Sequence, residues 1–153
     1  MRLADILSLD RVSVSLEAED KVAALRAIAR LFAKTETTLG EDDVLRVLQA
    51  REQLASTGVG SGVAIPHGRI GAVDKMLGAL AISRRGVSFE SIDGEPARIF
   101  MAVLAPERHT GDHLKALARI SRLLRDAAVR QRLLAAADEA QALQIVVEED
   151  ARH

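Results

Sequence analysis

His67 is the residue of this sequence whose surroundings best suit covalent chemistry. It ends residues 63–67, where an apolar strand runs into Pro66 and then into a loop opened by Gly68. The proline fixes its own φ angle and biases Ile65 toward extended geometry, so the imidazole should leave the end of the sheet in a defined direction. A neutral imidazole nitrogen held in this way is suited to nucleophilic attack. The alternative interpretation is an ordinary surface histidine.

Two further polar residues fall on apolar stripes of predicted helices. Arg51 lies four residues after Val47, on the side that should face the core, where a guanidinium needs a partner. It either pairs with a carboxylate across the fold or binds an anion through its planar fork. His113 lies four residues before Leu117, at a helix start, where the dipole lowers an imidazole's pKa and attracts anions. His113 either hydrogen-bonds a phosphate oxygen or a second imidazole, or merely caps and packs.

Alternating glycines precede the strand that leads to the histidine. Gly58, Gly60 and Gly62 let backbone amides approach a ligand closely and form anion-binding concavities. No Gly-Lys-Ser/Thr of a Walker motif follows them, and they lie before a strand, whereas the glycines of a dinucleotide fingerprint lie after one. A tight helix-to-strand turn with a bulge is the alternative interpretation, and it stays open.

The histidines at 109 and 113 have the i, i+4 spacing of a metal-binding pair. Residues 110–112 are typical of a helix start, however, which leaves His109 outside the helix. We therefore predict no metal site. The sequence has no cysteine, which excludes thiolate catalysis, cysteine-ligated zinc and disulfides, and indicates a reducing compartment, by default the cytoplasm.

Together, His67, His113 and Arg51 predict a pocket for a phosphoryl group. An imidazole nitrogen attacks phosphorus readily, and the N–P bond keeps a high transfer potential, so such a site relays the group. The arginine, the second histidine and backbone amides would meet the developing negative charge. A hydrolase that uses His67 as general base is the alternative from another class. The absence of a serine nucleophile elbow, of cysteine and of a carboxylate cluster near this histidine counts against it.

The elements that must position these residues mix strands and helices. Residues 12–16 alternate apolar and polar as a half-buried strand does, and the nearly unbroken apolar runs at 76–82 and 99–105 are typical of strands covered on both faces. Helical spacing predicts five helices, at 22–32, from near 41–43 to near 56–58, and at 114–124, 129–134 and 140–147, with Leu54 and Leu114 on the apolar stripes. This order predicts one domain over residues 1–153, an α/β fold in which a sheet with helices on both faces forms a three-layer α/β/α sandwich.

Composition excludes two classes of partner. The net charge is −1 with basic and acidic residues interleaved, and three Phe with no Tyr or Trp leave little for bases to stack on, so we expect no nucleic-acid binding. No apolar run approaches the roughly 20 residues that span a bilayer, so we expect no membrane insertion.

The segment 51–69 resembles a known signature. Its sequence, Arg-Glu-Gln-Leu-Ala-Ser-Thr-Gly-Val-Gly-Ser-Gly-Val-Ala-Ile-Pro-His-Gly-Arg, is similar to the phosphohistidine motif of the enzyme IIA components of the bacterial phosphotransferase system, in the fructose, mannitol and nitrogen branch. Residues 87–89, 92–96, 104–106, 113–114 and 117–118 also resemble that family, so the similarity covers nearly the whole chain. The resemblance implies a mixed sheet of about five strands flanked by helices. It also implies that the acceptor is His67, through Nε2, with Arg51 and His113 in support. We expect four more residues to line the phosphate pocket, namely Ser56, Thr57, Gly60 and Gly62.

The resemblance also implies partners. The phosphoryl donor would be a small histidine-containing phosphocarrier protein, with no metal or other cofactor. Since the sequence opens on a short helix at residues 3–7 and carries neither a IIB nor a IIC domain, we expect the nitrogen-regulatory type, a phosphocarrier without turnover of its own. That type binds regulatory targets, such as potassium-transport or sensor-kinase proteins, according to its phosphorylation state. The alternative is a stand-alone fructose or mannitol IIA component that passes phosphate to a IIB domain for sugar uptake.

Overall fold

The computed structural model describes residues 1–108 and 110–153, which form a sheet with helices on both faces. Two 3-10 helices, Leu3–Asp5 and Leu9–Arg11, open the chain. The strands are β1 Val12–Ser13, β2 Gly58–Gly60, β3 Val63–Ala64, β4 His67–Arg69, β5 Leu77–Val87 and β6 Ala97–Ala105. The α-helices are α1 Lys21–Ala33, α2 Glu41–Leu54, α3 Thr110–Leu124, α4 Ala127–Leu134 and α5 Glu139–Ala151. All five helices coincide with predicted ones.

The sheet is mixed, as predicted, and its strands run in the order β1-β5-β6-β3-β2, with β4 also paired to β6. β5 and β6 are antiparallel neighbours at the centre, whereas β1 is parallel to β5, and both β3 and β4 are parallel to β6. The sheet has six strands, whereas about five are predicted. The difference arises because the segment that leads to His67 forms two short strands, β3 and β4.

β3 and β4 are two parts of one extended segment. Val63 pairs with Ile99 and His67 with Val103, so both pairings have the same offset of 36 residues along β6. Pro66 lies between them and has no N–H to donate, yet its carbonyl oxygen accepts the Val103 N–H at 3.0 Å, which keeps the register. The predicted loop after Pro66 is therefore wrong. His67 is the first residue of a strand in the sheet, with correspondingly little backbone freedom.

The core lies in two layers, one on each face of the sheet. Along β6, Phe100, Ala102 and Leu104 pack toward α1 and α2, while the alternate residues Ile99, Met101 and Val103 pack toward α3, α4 and α5. Because both faces are covered, this strand is apolar at nearly every position. The predicted three-layer sandwich is confirmed, and the odd-numbered side chains of β3 and β4 face the α3 layer. No helix within the described residues is long and apolar enough to cross a membrane.

Candidate functional site

His67 is half-buried at the start of β4, and both of its ring nitrogens have partners. Nδ1 lies 2.6 Å from the carbonyl oxygen of Ile65. Since a carbonyl only accepts hydrogen bonds, Nδ1 carries the proton of the neutral ring and donates it. The lone pair therefore resides on Nε2. The hydrogen bond from His67 to Ile65, across the intervening Pro66, thus sets the tautomer that leaves Nε2 available as a nucleophile.

Arg51 reaches His67 from the last turn of α2. Its Nε donates to His67 Nε2 at 3.2 Å, and its Nη1 donates to the carbonyl oxygen of Ala55 at 2.9 Å. The two elements approach closely because Gly68 has no side chain: a Cβ there would lie 2.4 Å from Val47 Cγ1 on the helix. Among the described residues no carboxylate forms a salt bridge with Arg51. The structure therefore favours the anion-binding interpretation over the ion pair.

His113 approaches the same ring from the opposite layer, on the first turns of α3. Its ring centroid lies 5.4 Å from that of His67, and the ring planes are inclined at 83°. The side chain is only 6% exposed, and neither ring nitrogen has a hydrogen-bond partner within the described part of the chain. A buried imidazole without partners is unusual, because each unsatisfied polar group costs free energy. A ligand between the two rings would satisfy it.

Both imidazoles are held in the neutral form. Burial lowers the pKa of His67; the carbonyl of Ile65 opposes this shift, and the positive charge of Arg51 adds to it. Burial lowers the pKa of His113 to about 4, with smaller contributions from His67 and from Arg69. At neutral pH the site therefore combines two uncharged rings with the guanidiniums of Arg51 and Arg69. This combination suits an incoming dianion.

An open cavity of about 510 Å³ surrounds these groups, and its wall is mostly apolar. Leu54 at the end of α2 and Leu114 on α3 stand at its rim, 81% and 66% exposed. Both were predicted to face the core, which is wrong, because each lies at a helix end that opens onto the cavity. The lining residues are Val47, Ala50, Arg51, Leu54, His67, Gly68, Arg69, His113, Leu114 and Leu117.

The four other residues predicted at the phosphate lie outside this lining. The Ser56 hydroxyl donates to the carbonyl oxygen of Phe89 at 3.0 Å, and the Thr57 hydroxyl and N–H bind the carboxylate of Glu52. Gly60 and Gly62 have φ angles of +98° and +78° in the turn between β2 and β3. Their observed contacts are therefore structural, in line with the helix-to-strand turn, and contact with a phosphoryl group stays a prediction for these four.

The sequence analysis missed two charged residues. Arg69 lines the cavity two residues after His67, on the same face of the strand. Glu52, and not Arg51, continues the buried stripe of α2 that runs through Val44 and Leu48 at intervals of four residues. The four-residue spacing that leads to Glu52 is present in the sequence. The same four-residue step leads from Val47 to the neighbouring arginine, which the sequence analysis placed on the buried side instead.

The sequence analysis predicts that His109 and His113 do not form a metal site. His109 lies outside the described residues. Within the rest of the chain no group of three or more His, Cys, Asp and Glu side chains has a geometry that could hold a metal ion.

Comparison with known proteins agrees with this geometry. The family described as "Phosphoenolpyruvate-dependent sugar phosphotransferase system, EIIA 2" matches residues 5–149. A nitrogen regulatory protein of Bradyrhizobium diazoefficiens is 42% identical, with 96% of this chain and 95% of that protein covered. One from Pseudomonas aeruginosa is 35% identical, with 97% and 96% covered.

A solved structure supports the same assignment. The crystal structure of nitrogen regulatory protein IIA-Ntr from Neisseria meningitidis superposes with a TM-score of 0.87 at 32% identity, covering 94% of this chain and 98% of that one. The chain therefore belongs to the phosphoenolpyruvate-dependent sugar phosphotransferase system EIIA 2 family, and its resemblance to the nitrogen-regulatory members of that family is confirmed.

Proposed function

We propose that this chain accepts a phosphoryl group on Nε2 of His67 from a histidine-containing phosphocarrier protein, and that it controls regulatory targets according to its phosphorylation state. The observation that carries this proposal is the state of the His67 ring. Its Nδ1–H is held by the Ile65 carbonyl, and its Nε2 lone pair accepts from the guanidinium of Arg51 at the wall of an open cavity.

The transfer step balances within these groups. The Nε2 lone pair forms a new N–P bond while the N–P bond of the donor's phosphohistidine breaks, and the donor ring takes back the electron pair. The accepting ring becomes positive as the bond forms, and the Ile65 carbonyl oxygen stabilises that charge through the Nδ1–H hydrogen bond. Because the bond formed and the bond broken are of one type, the transfer is close to balanced in free energy.

Arg51 and His113 supply the charge and the hydrogen bonds that the phosphoryl oxygens need. The guanidinium lies 3.2 Å from Nε2, so a small rotation directs its N–H groups to oxygens on the attached phosphorus. The neutral His113 ring has one N–H to donate, and among the residues that the structure describes no partner competes for it. This arrangement stabilises the transition state by position and electrostatics alone.

The rim of the cavity suits a protein donor. Leu54 and Leu114 present exposed apolar side chains beside the guanidinium of Arg69. A partner that carries a phosphohistidine within an apolar surface would bury these leucines and place its negative charge over the arginines. We expect the histidine phosphocarrier to bind here, in the cytoplasm where its donor chemistry operates.

The regulatory part of the proposal is supported by the nitrogen regulatory relatives. We expect targets that distinguish the phosphorylated from the unphosphorylated pocket, of the potassium-transport or sensor-kinase kind that the family resemblance implies.

The test is a labelling experiment. The chain is incubated with phosphoenolpyruvate, enzyme I and the histidine phosphocarrier, and its intact mass is followed. We expect a gain of one phosphoryl group that is acid-labile, as an N–P bond is, and that disappears in His67→Ala. The exposed His153→Ala variant is the matched control and should label at the wild-type rate. Persistent labelling of His67→Ala would show that the acceptor is another residue.

A second arm separates the regulatory function from sugar uptake. The phosphorylated chain is mixed with a fructose-type or mannitol-type IIB domain, and loss of its phosphoryl group is timed. We expect slow transfer or none. Rapid and complete transfer would contradict the regulatory proposal and support the sugar-uptake alternative.

A further inference from the structure

Glu52 is a buried carboxylate that the proposed reaction leaves without a role. It follows Arg51 on α2 and is 9% exposed, yet it does not line the cavity around His67. Burying a carboxylate is costly unless it is paired and hydrogen-bonded. Its partners therefore indicate what it stabilises.

Two groups hold the carboxylate. Lys21 at the start of α1 places its Nζ 3.0 Å from Glu52 Oε1, and the same ammonium lies 5.0 Å from the ring centroid of Phe89. On the other side, Glu52 accepts the N–H of Thr57 at 3.1 and 3.2 Å and also accepts its hydroxyl. The carboxylate thus fastens the segment between α2 and β2 to both helices of this layer.

Thr57 passes this constraint to the reactive histidine. Its carbonyl oxygen accepts the N–H of Ile65 at 2.9 Å, and the Ile65 carbonyl oxygen accepts the Nδ1–H of His67 at 2.6 Å. The path from Glu52 through Thr57 and Ile65 to the ring is therefore continuous, and each of its three links is a hydrogen bond. Pro66 limits the freedom of the segment at its far end.

We propose that Glu52 is a positioning residue, which acts through Thr57 and Ile65 to hold His67 in the Nδ1–H tautomer with Nε2 toward the cavity. The consequence for phosphoryl transfer rests on the proposed function, whereas the consequence for the tautomer does not. The negative charge of Glu52 also opposes the lowering of the His67 pKa by burial and by Arg51, so it favours the positive ring that forms during attack.

The test compares four variants by nitrogen-15 NMR of the imidazole rings and by the rate of labelling at saturating and at limiting donor concentration. Glu52→Gln keeps the size of the side chain but removes the charge and one acceptor. Thr57→Val removes the hydroxyl, and Thr57→Ser keeps it. Glu90→Gln is the matched control, because Glu90 is the other carboxylate near Lys21, at 3.8 Å, and is exposed.

We expect Glu52→Gln and Thr57→Val to raise the population of the Nε2–H tautomer of His67 and to lower the saturated labelling rate about tenfold, since small misplacements of a reacting group have effects of this size or larger. The half-saturating donor concentration should not change, because the rim leucines are untouched. Thr57→Ser keeps the hydroxyl and should restore the tautomer and most of the rate lost in Thr57→Val, whereas the control Glu90→Gln should retain the wild-type tautomer and rate.

The possible results separate the two proposals. If Glu52→Gln and Thr57→Val both fold and retain the wild-type tautomer, the positioning role is wrong, whatever the labelling rate. If the tautomer shifts while His67→Ala still labels, the positioning role stands and the proposed acceptor is wrong. If Glu52→Gln does not fold, Thr57→Val and Thr57→Ser test the same positioning role. These two variants leave the carboxylate and its lysine in place.

Discussion

The two sides of the cavity treat their imidazoles in opposite ways. On the strand side, both nitrogens of His67 have partners, from the Ile65 carbonyl and from Arg51. On the helix side, His113 is more deeply buried and neither nitrogen has a partner in the described part of the chain. The strand side is thus complete before any ligand arrives, whereas the helix side becomes complete only when an acceptor enters.

This difference assigns distinct tasks to the two sides. In the proposed function the strand side fixes the nucleophile, and the hydrogen-bonded path through Thr57 and Glu52 lies behind it. The helix side keeps an unsatisfied donor, which costs the resting protein about 1–3 kcal/mol. A phosphoryl oxygen that accepts from His113 removes this cost in the bound state. The helix side of the cavity therefore lowers the stability of the resting protein, and it thereby keeps a hydrogen-bond donor for the charged group.

Replacement of His113 should give the largest effect and tests this division directly. We expect His113→Leu to label about a hundredfold more slowly, as when one preorganised donor is removed from a transition state. The variant should be as stable as the wild type or more stable, because an unpaired buried polar group gives way to an apolar one. Labelling kinetics and urea unfolding at pH 7 measure the two quantities. A marked loss of stability would mean that the imidazole has a structural partner and that the comparison is wrong.

Replacement of Arg51 should have a smaller effect. We expect Arg51→Ala to lower the labelling rate about tenfold, since the pocket keeps the second guanidinium of Arg69. Its unfolding free energy should change by only about 0.5 kcal/mol, because the side chain is half-buried and forms no salt bridge with the described carboxylates. Arg51→Lys is the charge-matched control and should recover part of the rate. A stability loss of several kcal/mol would instead support the buried ion pair that the sequence left open.

The pH dependence of stability should show the smallest effect. The pKa of His113 is lowered from 6.5 to about 4 in the folded protein, so between these values the unfolded chain binds more protons. Stability is therefore fully present above about pH 6.5 and falls as the pH drops toward 4. We expect a loss of about 1 kcal/mol from this residue between pH 7 and pH 5.5, given about 1.4 kcal/mol for each pH unit below 6.5.

Urea unfolding at several pH values measures this loss, and His113→Leu provides the reference. The pH dependence of the variant should be shallower than that of the wild type across this range. Parallel curves for the two proteins would show that the ring titrates alike in the folded and unfolded chains.

The sequence predicted much of this fold because its signals are local. Helical periodicity placed all five helices, and the apolar runs placed both central strands. Pro66 and its neighbours indicated a directed imidazole, and the structure brings Arg51 and His113 to it.

The features that the sequence could not predict depend on how the ends of helices and strands pack against other elements. Leu54 continues an apolar stripe, and only the packed structure shows that it is exposed at the cavity. The continuation of the ladder through Pro66 is likewise a matter of pairing with Val103. Spacing alone could have placed Glu52 on the buried stripe of α2, but its enclosure by Lys21 and Thr57 depends on how separate elements pack.

The unbroken offset of β3 and β4 along β6 has a consequence for signalling. His67, the proposed acceptor, belongs to the ladder between β4 and β6, which a change in one side chain cannot slide without breaking several hydrogen bonds at once. We therefore expect the backbone to stay nearly the same whether or not the phosphoryl group is attached. A target that distinguishes the two forms must then touch the rim itself, where the new charge alters the local surface.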